Sequence, residues 1–589
     1  MAGRWRLALA VGMATTLAVS ACAQQPSGGG ATTAPGTGAP AAVRGAGGEL
    51  RLVWWQGPTI LNPHLSQGTK DYDAARPILE PLASIGADGK PSANLAEEIP
   101  TQANGGVSSE GKSVTWKLKK GVKWSDGSDF TADDVVFTYT YMADKATAAT
   151  TSGNTKNVES VTKVDATTVK VTFKAPTVNP FQIFTGPQGM IIQEKQFKDF
   201  LGAKAKDAPG NTAPIGTGAY KLTAGGFKSN DVVTYEINPL YRVANKPYFK
   251  TVTLKATAAA DASARAVLQT GDADYAWNLQ VPAATLKQMA EGGKGEILSS
   301  DSSNVERLLL NRADNRAAGD KRSEPDTKHP FLSDLNVRKA LAMASNRQAI
   351  VDSVYAGVTG VASCNIVDGG PARHFTSQST KTLDVCKFDL AAANKLLDDA
   401  GWVKGADGIR AKGGVKMEIV YQTSVNAVRQ ATQAIIKSDW EKLGIKVELK
   451  SIDPGVFFSS DVANPDTAAK FFADVEMFTN GSSEPDFQVY LANWISDEIP
   501  SKAKQWRGSN YERYNSPAYD ALFKELTAAM DPAKRAELTI KMNDLLVSDV
   551  VVIPLVARKF PVAGKAKDLK GIVANPWDGD LWNIADWSK

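Results

Sequence analysis

The chain is poor in the residues that carry most metal and redox chemistry: 589 residues hold only three His and three Cys. His64, His329 and His374 form no H-E-x-x-H pattern and sit near no Cys-x-x-Cys, so neither a zinc hydrolase nor any metal or cofactor is expected. Three cysteines cannot build a disulfide framework, which excludes small stapled scaffolds. The motif G-x-S-x-G is absent, and with it the common serine-hydrolase elbow. An excess of one charge is missing too. Lys+Arg number 67 and Asp+Glu 63, and this near balance gives no reason to expect a nucleic-acid partner. No internal repeat is present, which excludes solenoids and propellers. After the N-terminus no apolar run approaches the ~18 residues of a membrane span, and the longest, Val550 to Val556, reads as a buried strand. What is present is a chain with 43% apolar residues, long enough for three or four structural units.

The first residues indicate where the protein works. Arg4 and Arg6 precede an uncharged apolar run from Leu7 to Val19, the pattern of an export signal. The run ends in Val19-Ser20-Ala21-Cys22, which resembles a bacterial lipobox with Cys22 as the lipidated residue. Residues 1–21 are then a signal peptide. From Ala23 to Gly48 the chain holds eight Gly, three Pro, seven Ala and a single charge, Arg44. Such a segment buries too little apolar surface to offset its ordering entropy, so residues 22–47 are expected to be a flexible tether spanning roughly 28 Å. The expected product is an exported protein, held at the outer face of the cytoplasmic membrane by the lipid on Cys22 alone. Export also places Cys364 and Cys386 in an oxidising compartment, where a structural disulfide is expected over two free thiols.

The body reads as mixed α/β. Gly48 to Trp55 is a strand running into a core, followed by the turn signals Gly57-Pro58 and Asn62-Pro63. Val114 to Trp124 alternates around Gly121 like a hairpin, and Ser160 to Lys174 reads as a second hairpin. Thr131-Ala132-Asp133-Asp134 is a capping box opening a helix with Val135, Val136 and Tyr139 on one side. Helices are also expected from Val337 to Ala344 with Ser333 or Asp334 as cap, and over 391–400, 427–443, 518–526 and 534–546. A strand should follow Gly444.

Gly106 to Ser113 satisfies G-x-x-x-x-G-K-[ST], but no strand precedes it and no helix follows, so it reads as a hairpin loop and not a phosphate cradle. Gly216-Thr217-Gly218 lacks the rest of a dinucleotide fingerprint and reads as a tight turn. Acid pairs such as Glu97/Glu98 are adjacent in sequence and belong to solvated faces. An exported hydrolase with distant carboxylates stays open as an alternative.

A series of segments in chain order then resembles one family, the extracytoplasmic solute-binding proteins of ABC importers, family 5, which includes the dipeptide- and oligopeptide-binding proteins. The segments include GELRLVWWQGPTILNPHL, PLASIGADGKPSANLAEEIP and VTWKLKKGVKWSDGSDFTADDVVFTY. PIGTGAYKL, INPLYRVANKPYF, LQTGDADYA and HPFLSDLNVRKALAMASNRQAIVDSVYAG follow, then FDLAAANKLLDDAGW and NYERYNSPAYDALFKEL. The resemblance implies an α/β, two-lobed periplasmic-binding-protein-like fold of type II with an extra inserted subdomain. It places the first lobe at 48–85, 215–310 and 548–589, the insert at 86–214 and the second lobe at 311–547. It implies a monomer that closes on a solute and delivers it to membrane permease subunits driven by cytoplasmic ATPases, with no catalytic residues.

The resemblance also implies where ligand contacts lie. Trp55, Gln56 and Gly57 end the first strand, with core packing the competing reading for Trp54 and Trp55. Tyr421 and Gln422, followed by Thr423, end a strand of the second lobe. Phe478, Thr479, Asn480, Gly481 and Asp486 lie in a loop resembling the one beneath bound peptide. Peptide-binding members carry an Asp in that loop for the ligand ammonium, and here the matching position holds Gly481. Either Glu484 or Asp486 takes over, or the ligand lacks a free amine. An oligopeptide is the first expectation; an oligosaccharide or another solute without an amine is the alternative.

Overall fold

The computed structural model describes residues 43–66, 68–356, 359–459, 464–482 and 484–589. The expected signal peptide, Cys22 and the tether up to residue 42 lie outside the described residues. The last stretch of the expected tether is tied down. The Gly45 and Gly47 amides donate to the Pro247 and Tyr248 carbonyls at 3.0 and 2.9 Å. Arg44 donates to the carbonyls of Tyr241 and Val243 at 2.9 and 2.7 Å. Gly47 allows this approach, because a Cβ there would lie 2.2 Å from the Tyr248 ring.

Among the described residues, eleven strands join one mixed sheet. In chain order they are β1 (Glu49–Trp54), β2 (Tyr220–Lys228), β3 (Val232–Ile237), β4 (Thr251–Ala256), β5 (Tyr275–Trp277) and β6 (Gly295–Leu310). The others are β7 (Gly360–Ala362), β8 (Glu418–Ser424), β9 (Lys446–Ile452), β10 (Val475–Asn480) and β11 (Val552–Ala566). Across the sheet the order is β9-β8-β10-β6-β11-β5-β1-β4-β3-β2, with β7 added on β11.

The long antiparallel pair β6 and β11 carries the sheet between two cores. Its Gly295/Ala566 end packs Leu298 and Ala563 into a core with Leu50, Leu52, Trp54 and Tyr275. Toward Leu309/Val552, Leu308, Leu310, Ile553 and Leu555 enter a second core with Tyr421, Trp440 and Met477. On the opposite face there, Leu309 and Phe478 join a third core with Phe457, Tyr490 and Trp494. Two lobes joined by a two-stranded ribbon follow from this arrangement.

The helices form where caps and apolar spacing agree. The helix α1 (Ala132–Ala143) starts with the Asp134 carboxylate accepting from the Thr131 amide at 3.0 Å. Its buried face runs through Val135, Thr138, Tyr141 and Met142, whereas Val136 and Tyr139 are only half-buried. In α2 (Leu335–Met343) the cap is Asp334, which accepts from the Asn336 amide at 2.8 Å. Further helices are α3 (Leu390–Asp399), α4 (Ala427–Glu441), α5 (Pro517–Ala528) and α6 (Pro532–Ser548).

One expected hairpin is corrected. The strand Ser113–Lys117 pairs with Thr168–Phe173 and not with the residues after Gly121, making a three-stranded sheet with Val158–Asp165. The alternation of residues 114–118 is real, with Val114, Trp116 and Leu118 buried, but alternation does not name the partner strand. Residues 106–113 form the turn entering that strand, with no helix after them. Cys364 and Cys386 are joined by a disulfide, their Cα atoms 5.6 Å apart.

Candidate functional site

The end of β1 is an aromatic wall. Trp54 is fully buried and stacks on Trp277 at 5.8 Å. Trp55 packs against the same indole at 6.4 Å and donates its Nε1–H to the Asn278 carbonyl at 2.8 Å. Gln56 is half-buried; Gly57 is buried, and a Cβ there would sit 2.6 Å from the Asn230 backbone.

A polar chain runs from this wall to the other lobe. Gln280 donates to the Asn278 side chain at 3.3 Å, and Asn426, the N-cap of α4, donates to Gln280. Asn426 also accepts the Arg429 amide at 3.1 Å. Arg429 Nε donates to Glu306 on β6 at 2.9 Å, Arg558 on β11 donates to the same carboxylate at 3.2 Å, and Thr479 on β10 donates its hydroxyl. Burial opposes the charge on Glu306, but the two guanidiniums and the Thr479 hydroxyl outweigh it and hold the carboxyl below its ordinary range. A buried Arg–Glu–Arg triad therefore ties the two crossing strands to the start of the 478–486 loop.

Within that loop the expected residues divide. Asn480 accepts the Gly481 amide on its side chain at 2.9 Å and the Tyr490 hydroxyl on its carbonyl at 3.3 Å. Gly481 lies directly against β6, where a Cβ would meet the Ser303 carbonyl oxygen at 2.6 Å. No side chain fits there unless that backbone moves, so the missing acid is built into the packing. Gly481→Ala should lower stability by about 1–3 kcal/mol through overpacking, read as a lower denaturation midpoint; an unchanged midpoint would show that β6 yields freely. Asp486 is committed to Arg535, which donates twice to it at 2.8 Å. Glu484 is half-buried and accepts from the Asn179 side-chain amide at 2.7 Å. Burial and the nearby Asp486 charge push its carboxyl up to about 8.

Two of the expected ligand contacts occupy buried positions. Tyr421 is wholly buried, its ring against Trp440 at 6.0 Å and its hydroxyl on the Met477 sulfur at 2.9 Å, so it is a packing group. Gln422 points to the opposite face and is also buried, donating to Glu476 at 2.5 Å. Phe478 is nearly buried among Phe457, Phe458 and Tyr511. Sequence reasoning missed Asn179, Asn278, Gln280, Glu306, Asn426, Arg429 and Arg558. The one legible signal was the charged pair Glu306-Arg307 inside the apolar strand β6. A separate cavity of about 180 Å³, lined by Arg76, Glu80, Lys246 and Asp586 among others, has its charges already paired: Arg76 with Asp578, Glu80 with Arg242 and Lys246 with Asp586.

Residues 90–514 match the bacterial extracellular solute-binding proteins, family 5 Middle. The chain belongs to this family. This family 5 solute-binding protein is 26% identical over 494 residues to a "Dipeptide-binding protein" of Pseudomonas aeruginosa, covering 80% of this chain and 83% of the relative. It is 25% identical over 534 residues to the "Glutathione-binding protein GsiB" of Escherichia coli, covering 90% and 92%. In fold it resembles the oligopeptide-binding protein AppA of Bacillus subtilis solved with a nonapeptide, with a TM-score of 0.77, 23% identity and coverage of 92% and 99%. The two-lobed architecture expected of the family is the one seen here. Among the described residues no helix of this family 5 protein is long and apolar enough to cross a membrane.

Proposed function

We propose that this solute-binding protein captures an oligopeptide between its lobes, releases it unchanged and delivers it to the permease of an ABC importer. The lobes would be 48–85, 215–310 and 548–589 against 311–547, with 86–214 inserted in the first. We further propose that it is a monomer, exported and anchored through a lipid on Cys22. The observation that carries the reading is Glu484, the loop carboxylate that pairs with no cation among the described residues once Asp486 is locked to Arg535. An α-ammonium displacing Asn179 would supply that cation. Gly481, with no room for an acid, favours the second reading, an oligosaccharide or other solute without an amine.

The test is a thermal-shift screen of di- to hexapeptides against cello-, xylo- and malto-oligosaccharides, in which a bound solute stabilises by ~2.7 kcal/mol at a hundredfold excess over Kd. With burial and the Asp486 charge pushing the Glu484 carboxyl up to about 8, capture of an amine at pH 7 should release a proton. Calorimetry in two buffers of different ionisation enthalpy should detect it in the wild type and not in Glu484→Gln. Peptide binding without proton release would remove Glu484 from the reading, and stabilisation by sugars alone would favour the second solute class.

A further inference from the structure

Strand β6 carries a second charge beside Glu306, on the other face of the sheet. Arg307 pairs with Phe478 across β6 and β10, and Val305, two residues before it, pairs with Asn480 at the start of the loop. Partners across an antiparallel pair and residues two apart along a strand share a face. Arg307 therefore projects on the same side as Asn480, about 7 Å along the strand from the position facing it.

Its surroundings do not match those of a structural arginine. Arg307 is 3% exposed, and its Nε and Nη1 are bonded to nothing among the described residues. The rings of Phe478 and Trp494 lie 5.2 and 5.5 Å from the guanidinium carbon. Aromatic faces steady the charge, but they leave the in-plane N–H groups without acceptors. The Arg307 charge opposes the effect of burial on the Glu512 carboxyl, but no hydrogen bond joins Arg307 to a nearby acid among the described residues. Glu476 and Glu512 are also buried, each with one carboxylate oxygen unbonded among the described residues. Burial favours the neutral form of both, most strongly for Glu476. The half-buried rings of Phe458 and Tyr511, 5.9 and 6.1 Å from Phe478, complete the aromatic wall. The Tyr490 hydroxyl links this wall to the loop by donating to Asn480.

We propose that Arg307 receives a carboxylate of the captured solute, in an aromatic-walled subsite formed with Phe478 and Trp494. A planar carboxylate accepting from two guanidinium N–H groups supplies the acceptors that the rings cannot. The proposal rests on the solute-capture reading above and narrows it to solutes that carry a carboxylate, whether a peptide C-terminus or an acidic side chain.

The experiment compares tri- to pentapeptides with free C-termini, the same peptides C-amidated, amidated peptides with one Asp, and 3-phenylpropionate against 3-phenylpropionamide. Each is titrated into the wild type, Arg307→Met and Arg307→Lys by calorimetry and thermal shift. The wild type should prefer the carboxylate over the amide by about tenfold or more. Arg307→Met should bind both forms alike, and Arg307→Lys should retain part of the preference. Preference restored to amidated peptides by Asp would identify a side chain as the source of the carboxylate; preference for free C-termini alone would identify the chain end. If no peptide binds, the peptide reading fails, while the phenylpropionate pair still tests Arg307. The proposal is overturned if the wild type does not distinguish acid from amide with any probe, or if a folded Arg307→Met keeps the preference. The wild-type comparison stands even if Arg307→Met does not fold.

Discussion

Glu306→Ala is expected to destabilise the protein by ~3–5 kcal/mol, the range for removing one partner from a buried ion pair. The carboxylate is wholly buried and takes hydrogen bonds from Arg429, Arg558 and Thr479, so its loss leaves two buried guanidiniums without their shared acceptor. Arg429 keeps the Ser424 hydroxyl at 2.7 Å and Arg558 keeps Thr479 at 3.2 Å, neither of which carries charge. The effect also depends on pH. The folded-state pKa of Glu306 lies below its unfolded value, so its contribution is fully present above about pH 4.3 and is lost as pH falls through the folded pKa. Urea midpoints measured from pH 7 to pH 3 should therefore fall more steeply for the wild type than for Glu306→Gln. Equal slopes would mean that the triad is not charged in the folded protein. Replacing all three charged residues by apolar ones of similar volume should cost far less than Glu306→Ala, because no charge is then left unpaired.

Loss of the Cys364–Cys386 bond is expected to have the second largest effect. The bond closes a segment over a sequence separation of 22, and the loop-entropy model assigns it about 3 kcal/mol. The closed segment is pressed on β6: a Cβ at Gly369 would lie 1.9 Å from the Ser302 carbonyl, and one at Gly370 would lie 2.5 Å from Asp301. The double variant Cys364→Ser/Cys386→Ser should lower the thermal midpoint, and reduction of the wild type should reproduce the change. An unchanged midpoint in both would show that packing against β6 alone holds the segment.

The elements were legible wherever local chemistry decides them. The cap of α2 at Asp334, the capping box at Thr131 and the strand after Gly444 are set by residues a few positions apart. Pairing was not legible, because strand Ser113–Lys117 finds its partner about fifty residues away and the alternating pattern is satisfied by either neighbour. The candidate site was hidden for a related reason. Consecutive strand residues point to opposite faces, so Tyr421 and Gln422 do not present their side chains to one ligand together. The triad joins residues 306, 429 and 558, which only the crossing of β6 and β11 beside α4 brings together. Gly481, by contrast, was visible as a departure from the expected acid. The structure adds its cause, the backbone of β6 lying against it.

On the proposed function, two lobes on a two-stranded ribbon close around a solute that leaves unaltered. Small-angle scattering of the body with and without a peptide found to stabilise it, followed by recovery of that peptide, tests this most directly. The account predicts a smaller radius of gyration with peptide present and intact peptide recovered in full. An identical radius in both states, or cleaved peptide, would contradict it.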